Sequence, residues 1–273
     1  MPYIYLDGLR LYYEEEGQGE PLVLIHGASQ DTLSWHDVIK VLQNTHKVYA
    51  IDLPGHGKSA LHDRRPTTTT AEYTHYIGRF LEEKKIEDAI LIGHSMGGGI
   101  SIAASIAMPE RIKGVVSVCG GAAFRGPTGV TYQPDMLRAA EINPTAWLET
   151  IFHSILGRTT PVERQREMAF DVTRCSPYVA YGDLQVYTSW NLYESLHLVK
   201  RPVFYIMGED DWSSTPAMAE ATSKLFAERG VATEVNELKG IGHIVHWEQP
   251  EAFNKVLDGV LVRLKAAAAK AKG

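Results

Sequence analysis

The sequence predicts a doubly wound α/β fold, in which a mostly parallel sheet of about eight strands carries helices on both faces and a helical insertion. Three observations lead there. Short Val- and Ile-rich runs end at Gly, Pro or Asp, amphipathic helical stretches alternate with them, and between Ala122 and Val199 that alternation stops.

Each element has its own signal. Ile4 to Tyr13 alternates apolar and polar residues and turns at Asp7-Gly8, which predicts an N-terminal hairpin. Leu22 to Ile25, Val48 to Ile51, Ala89 to Ile92, Val115 to Val118 and Val203 to Met207 are continuous apolar runs, as parallel strands buried on both faces require. Ala232 to Leu238 is a further candidate strand. Glu72 to Lys84 places Tyr73, Tyr76, Ile77, Phe80 and Leu81 on one helical face, with Thr69 and Glu72 in capping-box spacing. Gly98 to Ala107 reads as a small-residue helix. Pro250 opens the last helix, whose stripe is Phe253, Val256, Leu257, Val260, Leu261 and Leu264, and Ala266 to Gly273 reads as its frayed end or an added scar. The interval from Ala122 to Val199 offers helical segments around Asp135 to Ala140, Thr145 to Leu156 and Pro161 to Thr173 but no convincing strand, and is expected to cap the end of the sheet.

With 273 residues the chain suits one large domain or one domain with an insertion. Its 44% hydrophobic and 22% charged residues are ordinary for a chain that buries a core. The formal net charge of -6 comes without a basic stripe, which argues against nucleic acid as a partner. No apolar stretch approaches the ~20 residues that span a bilayer, and Met1 to Arg10 shows no secretory leader. Two cysteines, Cys119 and Cys175, fit a reducing, cytoplasmic setting. Oligomeric state is not legible.

The chemistry gathers in Gly93-His94-Ser95-Met96-Gly97, between a strand and a helix, where a nucleophile elbow belongs. A serine hydroxyl gains reactivity in a tight strand-to-helix turn whose glycines remove clashes and whose helix N-terminus faces developing negative charge. The bare G-x-S-x-G string would arise by chance in roughly one chain in ten of this length, so its context carries the signal. A base and an acid are then required, and in this arrangement they follow the serine as acid, then histidine. Gly208-Glu209-Asp210-Asp211 ends one strand and Gly240-Ile241-Gly242-His243 follows the next candidate strand, so both groups would reach the carboxyl edge of the sheet. No histidine spacing suggests a metal site, and none is expected.

With these segments in place, nearly the whole chain resembles the α/β-hydrolase superfamily, in its cap-bearing, carboxylesterase-like branch. The matching stretches are Leu24-Ile25-His26-Gly27, Asp52-Leu53-Pro54-Gly55-His56-Gly57-Lys58-Ser59, Gly93 to Gly98, Gly208 to Asp211, and Gly242-His243 with Trp247-Glu248-Gln249-Pro250. The resemblance implies Ser95 as nucleophile, His243 rather than His246 as base, and Asp211 rather than Asp210 as acid, being third after the strand-ending glycine. It implies an oxyanion hole from the backbone N–H groups of Ala28 and Met96, with a mouth somewhat roomier than in relatives that carry an aromatic residue at Ala28. Asp52 and His56 would fix the turn after their strand, and His26 the oxyanion loop.

The expected domains are a catalytic core from 1–121 with 200–273 and a helical cap at 122–199. Most cap aromatics, among Trp147, Phe152, Phe170, Tyr178, Tyr181, Trp190 and Tyr193, are expected to pack, as is Met168, while some face the serine and make an apolar pocket. Surface pairing with Glu163, Glu167 and Asp171 is expected to account for most of the six cap arginines. The implied activity is cleavage of small-molecule carboxylic esters through an acyl-enzyme, without a cofactor. Carbon–carbon bond hydrolase, lactonase and perhydrolase chemistries use the same constellation, and a slow-turnover small-molecule receptor is the alternative of another class.

Overall fold

The computed structural model describes residues 2–61, 65–123, 138 and 141–271. One eight-stranded sheet organises it: β1 (Tyr3–Leu6), β2 (Leu9–Gly17), β3 (Pro21–Ile25), β4 (Lys47–Ile51), β5 (Ala89–His94), β6 (Ile112–Val118), β7 (Val203–Gly208) and β8 (Thr233–Leu238). The spatial order is β1-β2-β4-β3-β5-β6-β7-β8. β1 and β2 pair antiparallel, as do β2 and β4, and every other neighbouring pair is parallel. The hairpin closes with Leu6 opposite Leu9, and Asp7 and Gly8 take φ of 49° and 84°, the double left-handed turn that suits a twisted two-strand ribbon.

The helices are α1 (His36–Leu42), α2 (Thr70–Glu83), α3 (Met96–Ala107), α4 (Pro144–Ile155), α5 (Val162–Val172), α6 (Pro177–Ser189), α7 (Pro216–Ala227), the short α8 (Val245–Glu248) and α9 (Pro250–Ala271). The alternation of strand side chains decides which helices cover which face. On β3, Val23 and Ile25 join the layer formed with α2, α3 and α7, whereas Leu22 and Leu24 join the layer formed with α1 and α9. Each fully buried Leu, Ile or Phe contributes about 1.5–3 kcal/mol, so neither layer is dispensable. α2 starts as its capping spacing predicts, with the Thr69 hydroxyl accepting the Glu72 N–H. α9 continues to Ala271 with Leu264 and Ala268 buried, so the expected frayed end is helix that packs as far as Ala268.

Between β6 and β7 the chain leaves the sheet. α4 and α5 match the predicted segments to within one or two residues, while Asp135 to Ala140 lies outside the described residues apart from Arg138. α6 is an addition to the sequence reading. The three helices share a small core of Leu148, Phe152, Ile155, Met168, Val172 and Ala180, closed from below by Ile244 and Trp247. Among the described residues no helix is long and apolar enough to cross a membrane.

Candidate active site

Three strand ends meet at one place. β5 runs into Ser95, whose backbone sits at φ 51° and ψ −116° before α3 begins at Met96. Few side chains could share such a turn, and the flanking glycines explain how it closes. A Cβ on Gly93 would lie 2.1 Å from the Gly97 carbonyl oxygen, and one on Gly97 would lie 2.4 Å from that of Ile25. The Ser95 N–H donates to Val118 O at 2.8 Å, and the Gly98 N–H returns to Ser95 O at 2.9 Å.

The loop after β7 delivers Asp211, which is buried, and the loop after β8 delivers His243. His243 Nδ1 lies 2.6 Å from Asp211 Oδ2, and His243 Nε2 lies 2.8 Å from Ser95 Oγ. A carboxylate can only accept, so the imidazole proton sits on Nδ1 and Nε2 is left to accept from the serine hydroxyl. The other Asp211 oxygen accepts from Ser213 N at 2.8 Å, Ser213 Oγ at 2.7 Å and Ser214 N at 3.0 Å, which fixes its plane. Burial pushes the His243 imidazole toward neutrality, but the Asp211 carboxylate outweighs it and the net shift is upward.

The neighbouring acids do other work. Asp210 accepts from the Arg158 N–H and guanidinium, and Glu209 accepts from the Gly240 N–H at 2.8 Å. His246 is buried, stacked on Trp35 with ring centroids 4.1 Å apart, and burial together with His243 drives its pKa down to about 3. Asp52 accepts the N–H groups of Thr32 and Lys58, each at 2.8 Å, and so closes the turn after β4. His26 donates to Gly27 O at 2.8 Å and accepts the Leu53 N–H at 3.0 Å, an arrangement for a neutral ring whose pKa burial lowers to about 3. His56 also holds that turn, its Nδ1 lying 3.2 Å from Pro54 O, and beyond the expected role its Nε2 reaches Asp183 Oδ2 on α6 at 2.7 Å.

Glu248 carried no assigned role in the sequence, yet its carboxylate accepts the N–H groups on both sides of His243, from Gly242 at 3.0 Å and Ile244 at 2.8 Å. It also accepts the Gly157 N–H at 2.8 Å, tying the inserted segment to the same loop. His94 Nε2 lies 2.9 Å from the His243 carbonyl and its Nδ1 2.8 Å from Gln30 Oε1, which joins the loops before α1 and α8.

Ser95 and His243 open onto a cavity enclosing about 900 Å³ free of protein atoms, its mouth included. Ala28 and Met96 line it beside the serine. Its walls are apolar and come largely from the insertion: Trp147, Ile151, Phe152, Leu184, Tyr187 and Trp190. Phe170 and Tyr178 instead face solvent, and Met168 lies in the insertion's own core. Arg164 pairs with Glu167 and Arg174 with Asp171 as expected, but both also cross to the core, to Asp37 at 2.7 Å and Asp31 at 2.9 Å.

Among the described residues, one set of metal-ligand atoms converges, with Cys119, Asp211 and His243 atoms all within 4.8 Å of one another. Asp211 and His243 already bond each other there, and burial pushes the Cys119 thiol well up, away from the thiolate that metals prefer.

The model of the alpha/beta hydrolase fold family matches residues 20–250. Over 92% of this chain and 93% of the relative, the sequence is 25% identical to an (E)-2-((N-methylformamido)methylene)succinate hydrolase of Acinetobacter baylyi. A shorter match, 38% identical over 41% of this chain, is to the dihydrolipoyllysine-residue acetyltransferase component of the acetoin cleaving system of Cupriavidus necator, of which it spans 30%. A solved esterase from Thermogutta terrifontis, bound to malate, superposes with a TM-score of 0.84 at 20% identity, covering 97% of this chain and all of that one.

Proposed function

Because the chain belongs to the alpha/beta hydrolase fold family, we propose that it is a serine hydrolase cleaving carboxylic esters of small to medium, largely apolar substrates. The observation that supports this most is the unbroken run from Ser95 Oγ to His243 Nε2 at 2.8 Å and from His243 Nδ1 to Asp211 at 2.6 Å, opening on an apolar cavity. Ser95 attacks the acyl carbon while His243 takes its proton, then His243 returns the proton to the leaving alcohol. Asp211 holds the ring in the required tautomer and stabilises its charged form. The N–H groups of Ala28 and Met96 receive the oxyanion, each such donor being worth about 2.7–4 kcal/mol in the transition state. Water, activated by the same histidine, then releases the acid, and no cofactor enters.

In this reading 1–121 and 200–273 form the catalytic core and 122–199 the cap, whose apolar wall selects the acyl or alcohol group. The hydrolase relative supports hydrolysis as the class of reaction, and the esterase neighbour shares the fold. Two unpaired cysteines suit a reducing, cytoplasmic setting. The test is steady-state turnover of p-nitrophenyl esters from acetate to octanoate. Sustained release of nitrophenol with a chain-length optimum is expected, whereas one stoichiometric burst on every ester would favour the receptor and sink the esterase.

A further inference from the structure

Asp183 is a charged residue on α6 with no exposed surface, far in sequence from every residue that the proposed mechanism uses. Its partners are all on the core. Oδ2 accepts the Ser29 N–H at 2.8 Å and lies 2.7 Å from His56 Nε2, while Oδ1 accepts the Tyr73 hydroxyl at 2.7 Å. A carboxylate removed from water to this extent needs each of those donors.

What it holds is the loop that begins at Gly27. Ser29 sits at φ 61°, a left-handed conformation that a serine adopts only when its surroundings require it. The Gly27 N–H donates to Gln30 Oε1 at 3.1 Å, the Gln30 N–H to Gly27 O at 3.3 Å, and the Ser29 N–H to Asp183. The Ala28 N–H, between them, has no acceptor among the described residues, and Ala28 lines the cavity beside Ser95. The same helix supplies cavity wall through Ala180, Leu184 and Tyr187. One short stretch of α6 therefore touches both the space for substrate and the loop expected to receive the oxyanion.

We infer that Asp183 is a positioning residue which, from the inserted helix, fixes the Ala28–Ser29 peptide and thereby aims the Ala28 N–H at the oxyanion. This rests on the serine hydrolase reading. The seating of α6 on the core and the setting of the oxyanion loop are thereby tied, since the residue that anchors α6 is the residue that holds the loop.

Two substitutions separate this from a merely structural role. Asp183→Asn keeps a carbonyl oxygen for Ser29 and His56 and lets the Tyr73 hydroxyl turn to accept, so kcat on p-nitrophenyl butyrate should stay within about threefold of wild type. Asp183→Ala removes the acceptor and should lower kcat about 100-fold with KM within about threefold, as for loss of one oxyanion donor. A trifluoromethyl ketone, which mimics the tetrahedral state, should lose affinity by the same factor. Should Asp183→Ala fail to fold, the triple variant His56→Leu, Tyr73→Phe, Asp183→Leu removes the buried partners as well, leaving the Ser29 amide and the Pro54 carbonyl that His56 Nδ1 had met, and the same losses are expected of it. Hydrogen exchange of the peptide spanning residues 27–31 should quicken at least about tenfold in the variant that lacks the acceptor, with β5 and α3 unchanged. Unchanged exchange, a retained kcat, or a rise in KM alone would overturn the assignment. If wild type turns over no ester, the hydrolase reading fails, while the exchange result still decides what Asp183 does to the loop.

Discussion

The Ser95 backbone, at φ 51° and ψ −116°, lies where a non-glycine residue costs about 1–3 kcal/mol, and it is held there by Gly93 and Gly97, whose missing Cβ atoms leave room for the turn. The sequence motif announced that strain, because its glycines make sense only in such a turn. The choice among acids was harder to read. Glu209, Asp210 and Asp211 are adjacent, so residue type alone does not separate them; the family resemblance selected Asp211 by its position, and the fold gives Asp210 to Arg158 and Asp211 to His243. Asp211→Asn should therefore cost about 10⁴-fold in kcat, by favouring the wrong imidazole tautomer, and Asp210→Asn less than about threefold. The reverse ranking in steady-state kinetics would exchange their roles. The pH profile follows from the same pair. His243 must be neutral to act as base, and its pKa is raised above the ordinary 6.5, so kcat/KM should fall on the acid side through a pKa above that value. In Asp211→Asn the burial contribution remains without the anion, and the residual activity should show its acid limb moved to lower pH.

At the scale of elements, the sheet was legible because the parallel strands β3 to β7 are buried almost throughout and read as apolar runs, whereas the edge strand β8, polar and half-buried, offered only a candidate. α2 and α9 were legible because each buries a single stripe. α6 was not, for two physical reasons. Its Val, Tyr and Gly residues are weak helix formers, and Val179, Ala180, Asp183, Leu184 and Val186 are buried around more than one side, so no stripe stands out. Tertiary packing makes that helix, and Asp183 and the His56 contact were hidden with it. The Glu248 clamp on the His243 loop was likewise invisible, since a lone glutamate between tryptophan and glutamine carries no spacing signal. The β5–α3 turn offers a direct test of this packing logic. Gly97→Ala must displace the carbonyls of Ile25 and His26 where β3 ends, and the melting temperature should fall by roughly 5 °C or more by circular dichroism. An unaltered melting curve would show that the turn is looser than its geometry implies.

Across the whole molecule, the length that composition alone left ambiguous divides into a sheet assembled from both ends of the chain and a helical insertion between β6 and β7. The insertion is fastened to the core by buried and half-buried charges, Asp183 with His56, Arg174 with Asp31 and Arg164 with Asp37, rather than by the surface pairs within its own helices that its arginine content suggested. Its apolar residues divide accordingly, some inward to a small core and others down to the cavity above Ser95. That division is set by α4–α6 packing and has no counterpart in composition. The central claim is that Ser95 becomes covalently acylated in this cavity. Its most direct test is labelling with a fluorophosphonate followed by mass spectrometry of the peptides. The adduct should map to Ser95 at about one equivalent per chain, and Ser95→Ala, with an unchanged circular dichroism spectrum, should take up none. Labelling that persists in Ser95→Ala, or that maps to another serine such as Ser213, would contradict it.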